Sequence, residues 1–297
     1  PLQSFPYGEN PPTWPEVFRQ ALKTAGLDGK IIGVEPTRLR FLELNLLQGA
    51  APKAQFNTAE TILSALRMQK DAGEIQTMHE AVKVAQQALL ETIPMIKIGM
   101  TERELAAELT MNLLRNGSEP EMPFSPIVSS GPNSANPHAS PSERKLQPGD
   151  LLVIDWGAGV NNYQSDLTRT FAIGEVEPEF AKIARITAEA NEAGRSVSRP
   201  GIQAGDVDRA ARQVIEKAGY GKYFFHRVGH GLGMEGHEHP YMFGENTLIL
   251  QPGMTFTVEP GIYLTDRGGV RVEDDVVVTE TGAESLSDLP RELKVVG

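Results

Sequence analysis

Residues 153–174, VIDWGAGVNNYQSDLTRTFAIG, set two aspartates, Asp155 and Asp166, into two apolar, β-branched runs separated by a Gly and Asn cluster that can turn the chain. The pattern predicts a β-hairpin. Side chains on one face of an antiparallel pair approach within ~5 Å, so two carboxylates there repel unless a cation lies between them. For any single aspartate in a hairpin the ordinary alternative is an exposed strand-end or turn position. Three further donors in comparable settings weigh against it: His230 in GHGLG, Glu259 in FTVEPG and Glu273 in GVRVEDDVVV. Four carboxylates and one imidazole make a hard donor set that is too acidic for one divalent ion. It suits a pair of Mn, Co, Fe or Zn ions sharing carboxylates, and so points to a two-metal hydrolase.

At 297 residues the chain is long enough for one large or two smaller domains. Its net charge of −11 disfavours nucleic-acid and anionic-membrane partners, both of which select clustered Lys and Arg. There is no cysteine, which excludes disulfides, thiolate zinc sites and a cysteine nucleophile. No run approaches the ~18 apolar residues of a membrane-spanning helix.

Residues 1–12 are turn-rich and predicted irregular. Thr13 and Glu16 have capping-box spacing before an amphipathic helix that should stop at Gly26. KIIGVE, residues 30–35, reads as a short buried strand; a helix from Pro36 carries Leu39, Leu42 and Leu46 on one face, and a strand follows around 54–56. This order is the start of a small α/β unit, with an upstream portion expected to be missing from the chain. Helix signals continue from Thr58 to about Glu91, and a boundary near 69–73 gives a first domain over 1–69 and a second over 70–297. Beyond Pro94, a capping box at Thr101 and Glu104 opens a helix to Gly117, followed by strands over 125–131 and 151–173. Helices over 178–198 and 206–218 then precede strands near 224–233, 248–259 and 270–279. Two helices followed by a sheet section occur twice, an α+β architecture duplicated without a short sequence repeat. One half supplies Asp155 and Asp166 and the other His230, Glu259 and Glu273, so metals are expected where the halves meet.

The segments DWGA with YQSDLTRTF, GHGLGMEGHE, VEPGIY and RVEDD resemble the signatures of the pita-bread metallopeptidases, the family of aminopeptidase P, proline dipeptidase and methionine aminopeptidase. The resemblance covers about residues 70–290, and residues 1–69 resemble the later part of the N-terminal domain of the proline-specific branch. It implies a pita-bread catalytic domain after a partial creatinase/prolidase-type domain. It also implies two metal ions on Asp155, Asp166, His230, Glu259 and Glu273, with Asp166 and Glu273 bridging and a water or hydroxide between the ions as nucleophile. Glu259 would take and shuttle that proton. His138 and His237 would donate hydrogen bonds to the substrate carbonyl and the developing oxyanion, a role worth ~3 to 4 kcal/mol. His226, Arg271 and Tyr263 are expected on the substrate side, Arg271 also orienting a ligating carboxylate. The plainer readings are a surface pairing of Arg271 with Glu273 or Asp274 and a core position for Tyr263. His79 reads as a helix-surface residue and His239 as a rim residue.

The N-terminal portion, the paired His226 and His230, and Arg271 favour the proline-specific branch over methionine aminopeptidase. The reaction implied is cleavage of an Xaa-Pro bond at a free amino terminus, in dipeptides or short peptides. A prolyl amide lacks an N–H and fixes the local backbone, so a pocket can select it by shape. Two other readings are a metal-free, creatinase-like amidinohydrolase and a non-catalytic pita-bread binding module; the intact set of five donors weighs against both. A cytoplasmic homodimer, with no nucleic-acid or membrane partner, completes the expectation.

Overall fold

The computed structural model describes residues 2–297, and the chain divides into one unit ending at Leu66 and a second over Arg67–Gly297. The first builds α1 (Trp14–Thr24), β1 (Ile31–Val34), α2 (Phe41–Ala50), β2 (Gln55–Thr58) and α3 (Glu60–Met68), within which the division falls. β1 and β2 pair in parallel, Ile31 opposite Gln55 through Val34 opposite Thr58. Three local expectations are corrected. The Thr13 capping box does not form, because the Thr13 hydroxyl bonds Asn10 O at 2.8 Å and the Glu16 carboxylate pairs with Arg19. β1 is not buried: its exposure alternates, with Ile31 72% exposed, as expected where two strands leave one face uncovered. α2 starts at Phe41 rather than Pro36, since the intervening residues form a turn closed by Leu39 N–H to Glu35 O at 3.0 Å.

The second unit opens with α4 (Ala72–Thr92), whose Asp71 side chain accepts from the Gly73 and Glu74 amides while Glu74 reaches back to the Asp71 amide. That box interrupts what reads in sequence as one continuous helix. α5 (Glu102–Arg115) carries the expected Thr101–Glu104 box. The chain then runs through β3 (Ile127–Ser130), β4 (Leu151–Trp156), β5 (Gly159–Val160), β6 (Tyr163–Gln164) and β7 (Leu167–Ile173). The second half repeats the plan with α6 (Pro178–Val197), α7 (Ala204–Lys217), β8 (Gly229–Gly231), β9 (Glu238–Met242), β10 (Thr255–Val258), β11 (Gly261–Leu264), β12 (Gly268–Arg271), β13 (Asp274–Val278), β14 (Ala283–Ser285) and β15 (Lys294–Val296).

Of the two larger sheets, one has the order β15-β7-β4-β3 and the other β14-β13-β10-β8-β9, while β11 pairs with β12 and β5 with β6 in two-stranded sheets. Each larger sheet lies over its own apolar core, Leu105, Leu109 and Trp156 under α4 and α5, and Ile183, Val207 and Phe256 under α6 and α7. β4 and β7 form the anticipated antiparallel pair, but Asp155 lies opposite Thr168 and Trp156 opposite Leu167, so the two aspartates are not cross-strand partners. Between them β5 and β6 make a small hairpin turned by Asn161 and Asn162, both at positive φ (49° and 64°), the conformation of a two-residue turn. A bridge between Thr168 and Glu273 joins the two halves, with the Glu273 amide donating to Thr168 O at 3.1 Å. The site is assembled around this join.

Candidate active site

Each of the five donors sits at or beside a strand end or in a short strand. Asp155 is near the end of β4, Asp166 directly precedes β7, His230 is central in β8, Glu259 follows β10 and Glu273 precedes β13. Strand ends fix a side chain's direction while leaving the space beyond it open. Ligand atoms of Asp166, His230 and Glu273 all lie within 4.8 Å of one another. His230 Nε2 is 3.6 Å from Asp166 Oδ2 and 3.6 Å from Glu259 Oε1, and Asp155 and Glu259 line the same cavity. Nδ1 of His230 lies 3.1 Å from Gly231 O, to which it can only donate, so in the neutral ring the Nε2 lone pair faces the carboxylates. Burial, aided by His237, pushes His230 down to about 3, which keeps that ring neutral.

Burial, and after it mutual repulsion, disfavours the charged form of these carboxyl groups. Asp166 is raised well above its ordinary value by burial and then by Glu273, Asp155, Asp275 and Glu259; Glu273 is raised likewise by burial, Glu259 and Asp155. Burial raises Asp155 against the pull of Arg271, and pushes Glu259 up to about 7. Against these four acids the cage sets one buried guanidinium, Arg271, whose Nη2 donates to Asp155 Oδ2 at 2.6 Å. Asp155 Oδ1 is buried with no hydrogen-bond partner. Converging hard donors, an imidazole lone pair aimed among them and an orphan carboxylate oxygen fit divalent metal, whose charge would relieve the repulsion.

Around the cage runs a continuous set of hydrogen bonds. The Thr168 hydroxyl donates to Glu273 Oε2 at 2.6 Å and accepts from Arg271 Nε at 3.1 Å. Arg271 Nη1 donates to the Tyr263 hydroxyl at 3.1 Å, that hydroxyl meets His226 Nε2 at 3.0 Å, and His226 Nδ1 donates to Arg227 O at 2.7 Å. Both ring nitrogens of His226 are thus engaged, and burial lowers it to about 4. Tyr263, 1% exposed, lies behind the cavity wall, whereas Arg271 contributes to the lining itself.

A cavity of about 730 Å3 opens over the cage, with His138, His226 and His237 and the apolar Phe124, Ile127 and Phe243 among its lining. The His237 ring stacks on His230, centroids 3.8 Å apart. His79, on α4, lies 3.8 Å from Glu284, and His239 packs on Tyr241 at 4.9 Å. Four residues absent from the sequence reading also shape the site. Glu102 pins the segment bearing His138 by accepting from the Ser130 amide at 2.7 Å, the Ser142 amide at 3.1 Å and the Ser142 hydroxyl at 2.6 Å. Asp275 Oδ2 accepts from the Asp166 amide at 3.0 Å, Thr168 bonds Glu273, and Arg227 lines the cavity with its guanidinium over Tyr241. Glu102 in a helix's first turn reads as a complement to the helix dipole, and nothing in its spacing betrays the second task.

A duplicated helix-helix-sheet core that closes on a buried acidic cage defines a pita-bread metallohydrolase. The chain belongs to metallopeptidase family M24, which it matches over residues 76–280. An Xaa-Pro dipeptidase of Pyrococcus furiosus is 38% identical over 262 residues, 88% of this chain and 75% of that protein. The crystal structure of a dipeptidase from Pyrococcus horikoshii OT3 superposes with a TM-score of 0.91 at 42% identity, covering 97% of this chain and 79% of that one. That of an X-Pro aminopeptidase from Thermotoga maritima MSB8 gives 0.89 at 36% identity, covering 95% and 79%. Among the described residues no helix is long and apolar enough to cross a membrane.

Proposed function

We propose that this chain hydrolyses the Xaa-Pro bond at the free amino terminus of dipeptides or short peptides, with two divalent metal ions held by Asp155, Asp166, His230, Glu259 and Glu273. The carrying observation is the five-donor cage on one cavity with His138 and His237, with proline-specific enzymes among the relatives. Divalent metal bound there would supply Lewis acidity and bring the pKa of water toward neutrality. The chain's own groups do the rest. Glu259, held near neutrality by burial, takes a proton on its carboxylate and returns it to the departing prolyl nitrogen. Burial keeps the His237 imidazole neutral, leaving one N–H to donate toward the substrate carbonyl, with His138 presented from the facing segment. Arg271 and Thr168 hold Asp155 and Glu273 in place. Phe124, Ile127 and Phe243 give the cavity apolar lining against which a prolyl ring can pack.

Residues 1–69 are assigned, on resemblance, to a partial creatinase/prolidase-type domain and 70–297 to the catalytic domain; the homodimer and the cytoplasmic location rest on the same resemblance. The test strips metal with a chelator, restores Mn, Co or Zn separately, and follows proline release from Ala-Pro beside amino-terminal cleavage of an Xaa-Pro tripeptide. The expected result is activity only with metal, about two equivalents bound per chain, and turnover of Met-Ala at least tenfold slower than Ala-Pro. The dipeptide to tripeptide ratio separates dipeptidase from aminopeptidase. Metal-independent hydrolysis of creatine, or no peptide cleavage with any metal, would overturn the proposal.

A further inference from the structure

We propose that Lys70 and Glu238, which pair beneath the glycine-rich loop between the two stacked histidines, are positioning residues that aim the His237 imidazole into the cavity. The inference rests on the peptidase reading above and deepens it.

Lys70 Nζ meets Glu238 Oε1 at 2.5 Å, with the two side chains 1% and 8% exposed. Replacing a buried ion pair with apolar side chains of the same volume is often neutral or stabilising, so stability alone does not account for this one. The Lys70 end is immobilised by its own backbone, whose amide donates to Gly253 O at 2.8 Å. At the other end stands the loop that leads from His230 to His237. Its Gly233 leaves no room for a side chain: a Cβ there would come 2.6 Å from Lys70 Cε and 3.0 Å from Glu238 Oε1. The same glycine's carbonyl accepts the Gln164 amide at 2.8 Å. The loop is therefore closed down onto the ion pair.

The pair's consequence lies one residue away. Glu238 opens β9 and His237 directly precedes it, and their side chains diverge, Glu238 toward Lys70 and His237 onto the His230 ring at 3.8 Å. Among the described residues no hydrogen bond fixes the His237 ring, so its direction is set by the backbone that carries it and by the stacking. Holding Glu238 holds that backbone. A small rotation there would carry the imidazole away from the carbonyl it serves, and a misplacement of ~1 Å can cost on the order of a hundredfold in rate.

The test is a double-mutant cycle in metal-loaded enzyme with Ala-Pro as substrate. Lys70→Met is expected to lower kcat about tenfold or more, with KM within about threefold and bound metal unchanged. In the His237→Ala background the same substitution should lower kcat by less than about twofold, because the residue it acts through is gone. Lys70→Met combined with Glu238→Leu removes both charges; it should melt no lower than wild type yet stay slow, and Lys70→Arg should recover part of the rate. In the zinc-loaded enzyme the His237 ring resonances, assigned by their loss in His237→Ala, should shift or broaden in Lys70→Met while those of His79 do not. Equal losses in both backgrounds, losses that track melting temperature or metal content, or unchanged His237 resonances would overturn the inference while leaving the peptidase reading intact. If the metal-loaded wild type cleaves no Xaa-Pro peptide, that reading fails, and the resonances alone decide whether the pair positions His237.

Discussion

Glu273 and Asp274 are neighbours in sequence, 2% and 0% exposed, yet their surroundings drive them in opposite directions. Asp274 is met by Arg169 Nη2 at 2.7 Å, Arg291 Nε at 2.7 Å, Arg195 Nε at 3.6 Å and the Ser287 hydroxyl. Burial pushes it up, but Arg169 and Arg291 outweigh burial and hold it at about 2. Glu273 receives one hydroxyl, from Thr168; burial, and after it Glu259 and Asp155, raise its carboxyl well above the usual range against the pull of Arg271. The protein surrounds one carboxylate with its own cations and leaves the other, the proposed metal ligand, largely among carboxyl groups. Acidity and burial are shared by both residues; what separates the proposed ligand from the structural anchor is how far the fold itself supplies the counter-charge.

The largest expected effect comes from neutralising the two in turn. Glu273→Gln should abolish tight metal binding and lower activity by more than about a thousandfold, since the loss is several kcal/mol of transition-state stabilisation. The metal-free variant should melt above metal-free wild type, because a repelling charge has gone. Asp274→Asn should do the reverse: buried Arg169 and half-buried Arg291 lose their partner at a cost of about 3 to 5 kcal/mol, while metal still binds the folded fraction. Calorimetric melting and metal titration on both variants, with and without chelator, check the contrast. Equal behaviour of the two would break it.

Stability against pH sharpens the same contrast. A carboxyl with a raised folded pKa adds stability that is complete below the unfolded value and is lost as pH rises through the folded one. For Glu259 that window runs from 4.5 to about 7. Asp274 has the opposite sign: its contribution is present above 3.8 and is lost as pH falls toward about 2. His226 and His230, lowered to about 4 and about 3, also favour the folded state as pH rises, so a difference measurement is needed to isolate the cage. Metal-free wild type and Glu259→Gln should be of similar stability near pH 4.5, and by pH 8 the variant should lead by on the order of 3 kcal/mol. Denaturant titrations at a series of pH values read this directly, and added metal should erase the variant's advantage.

The donors were legible in the sequence because each lies beside glycine or at a strand end, where a charged residue inside an apolar run stands out. The duplicated helix-helix-sheet order was legible in part for a similar reason: Thr101 caps a long amphipathic segment and α5 begins where its capping box places it, whereas the Asp71 box lay hidden within a continuous helix signal. The parts that escaped depend on pairing between distant residues. Asp155 and Asp166 share a hairpin but not a register, since the small β5–β6 hairpin offsets them. β9 carries Pro240 and alternates buried with half-buried residues, and β15 is only three residues long, so neither rises above the noise of short polar segments. Glu102 and Ser142 meet across forty residues, and Lys70 and Glu238 across 168, distances at which periodicity conveys nothing. In the first unit, Ile31 reads as core by composition alone, and only the two-stranded sheet shows why it is exposed.

Thr168 offers the finest discrimination, because it stands between the two kinds of carboxylate surroundings. Its hydroxyl donates to Glu273 Oε2 and accepts from Arg271 Nε, while its carbonyl accepts from Arg169 Nη1 at 2.8 Å, the same arginine that holds Asp274. Thr168→Val keeps the shape and that carbonyl but removes the hydroxyl. It should cost about 1 to 3 kcal/mol in the metal-free protein, where Glu273 and Arg271 both lose a buried partner. If the hydroxyl serves the cage, metal affinity should also fall by about 10- to 100-fold, with kcat at saturating metal reduced less. Were the variant to lose stability with its metal affinity unchanged, as expected for Asp274→Asn, Thr168 would stand with the self-sufficient ion pairs and the join between the two halves would be structural alone.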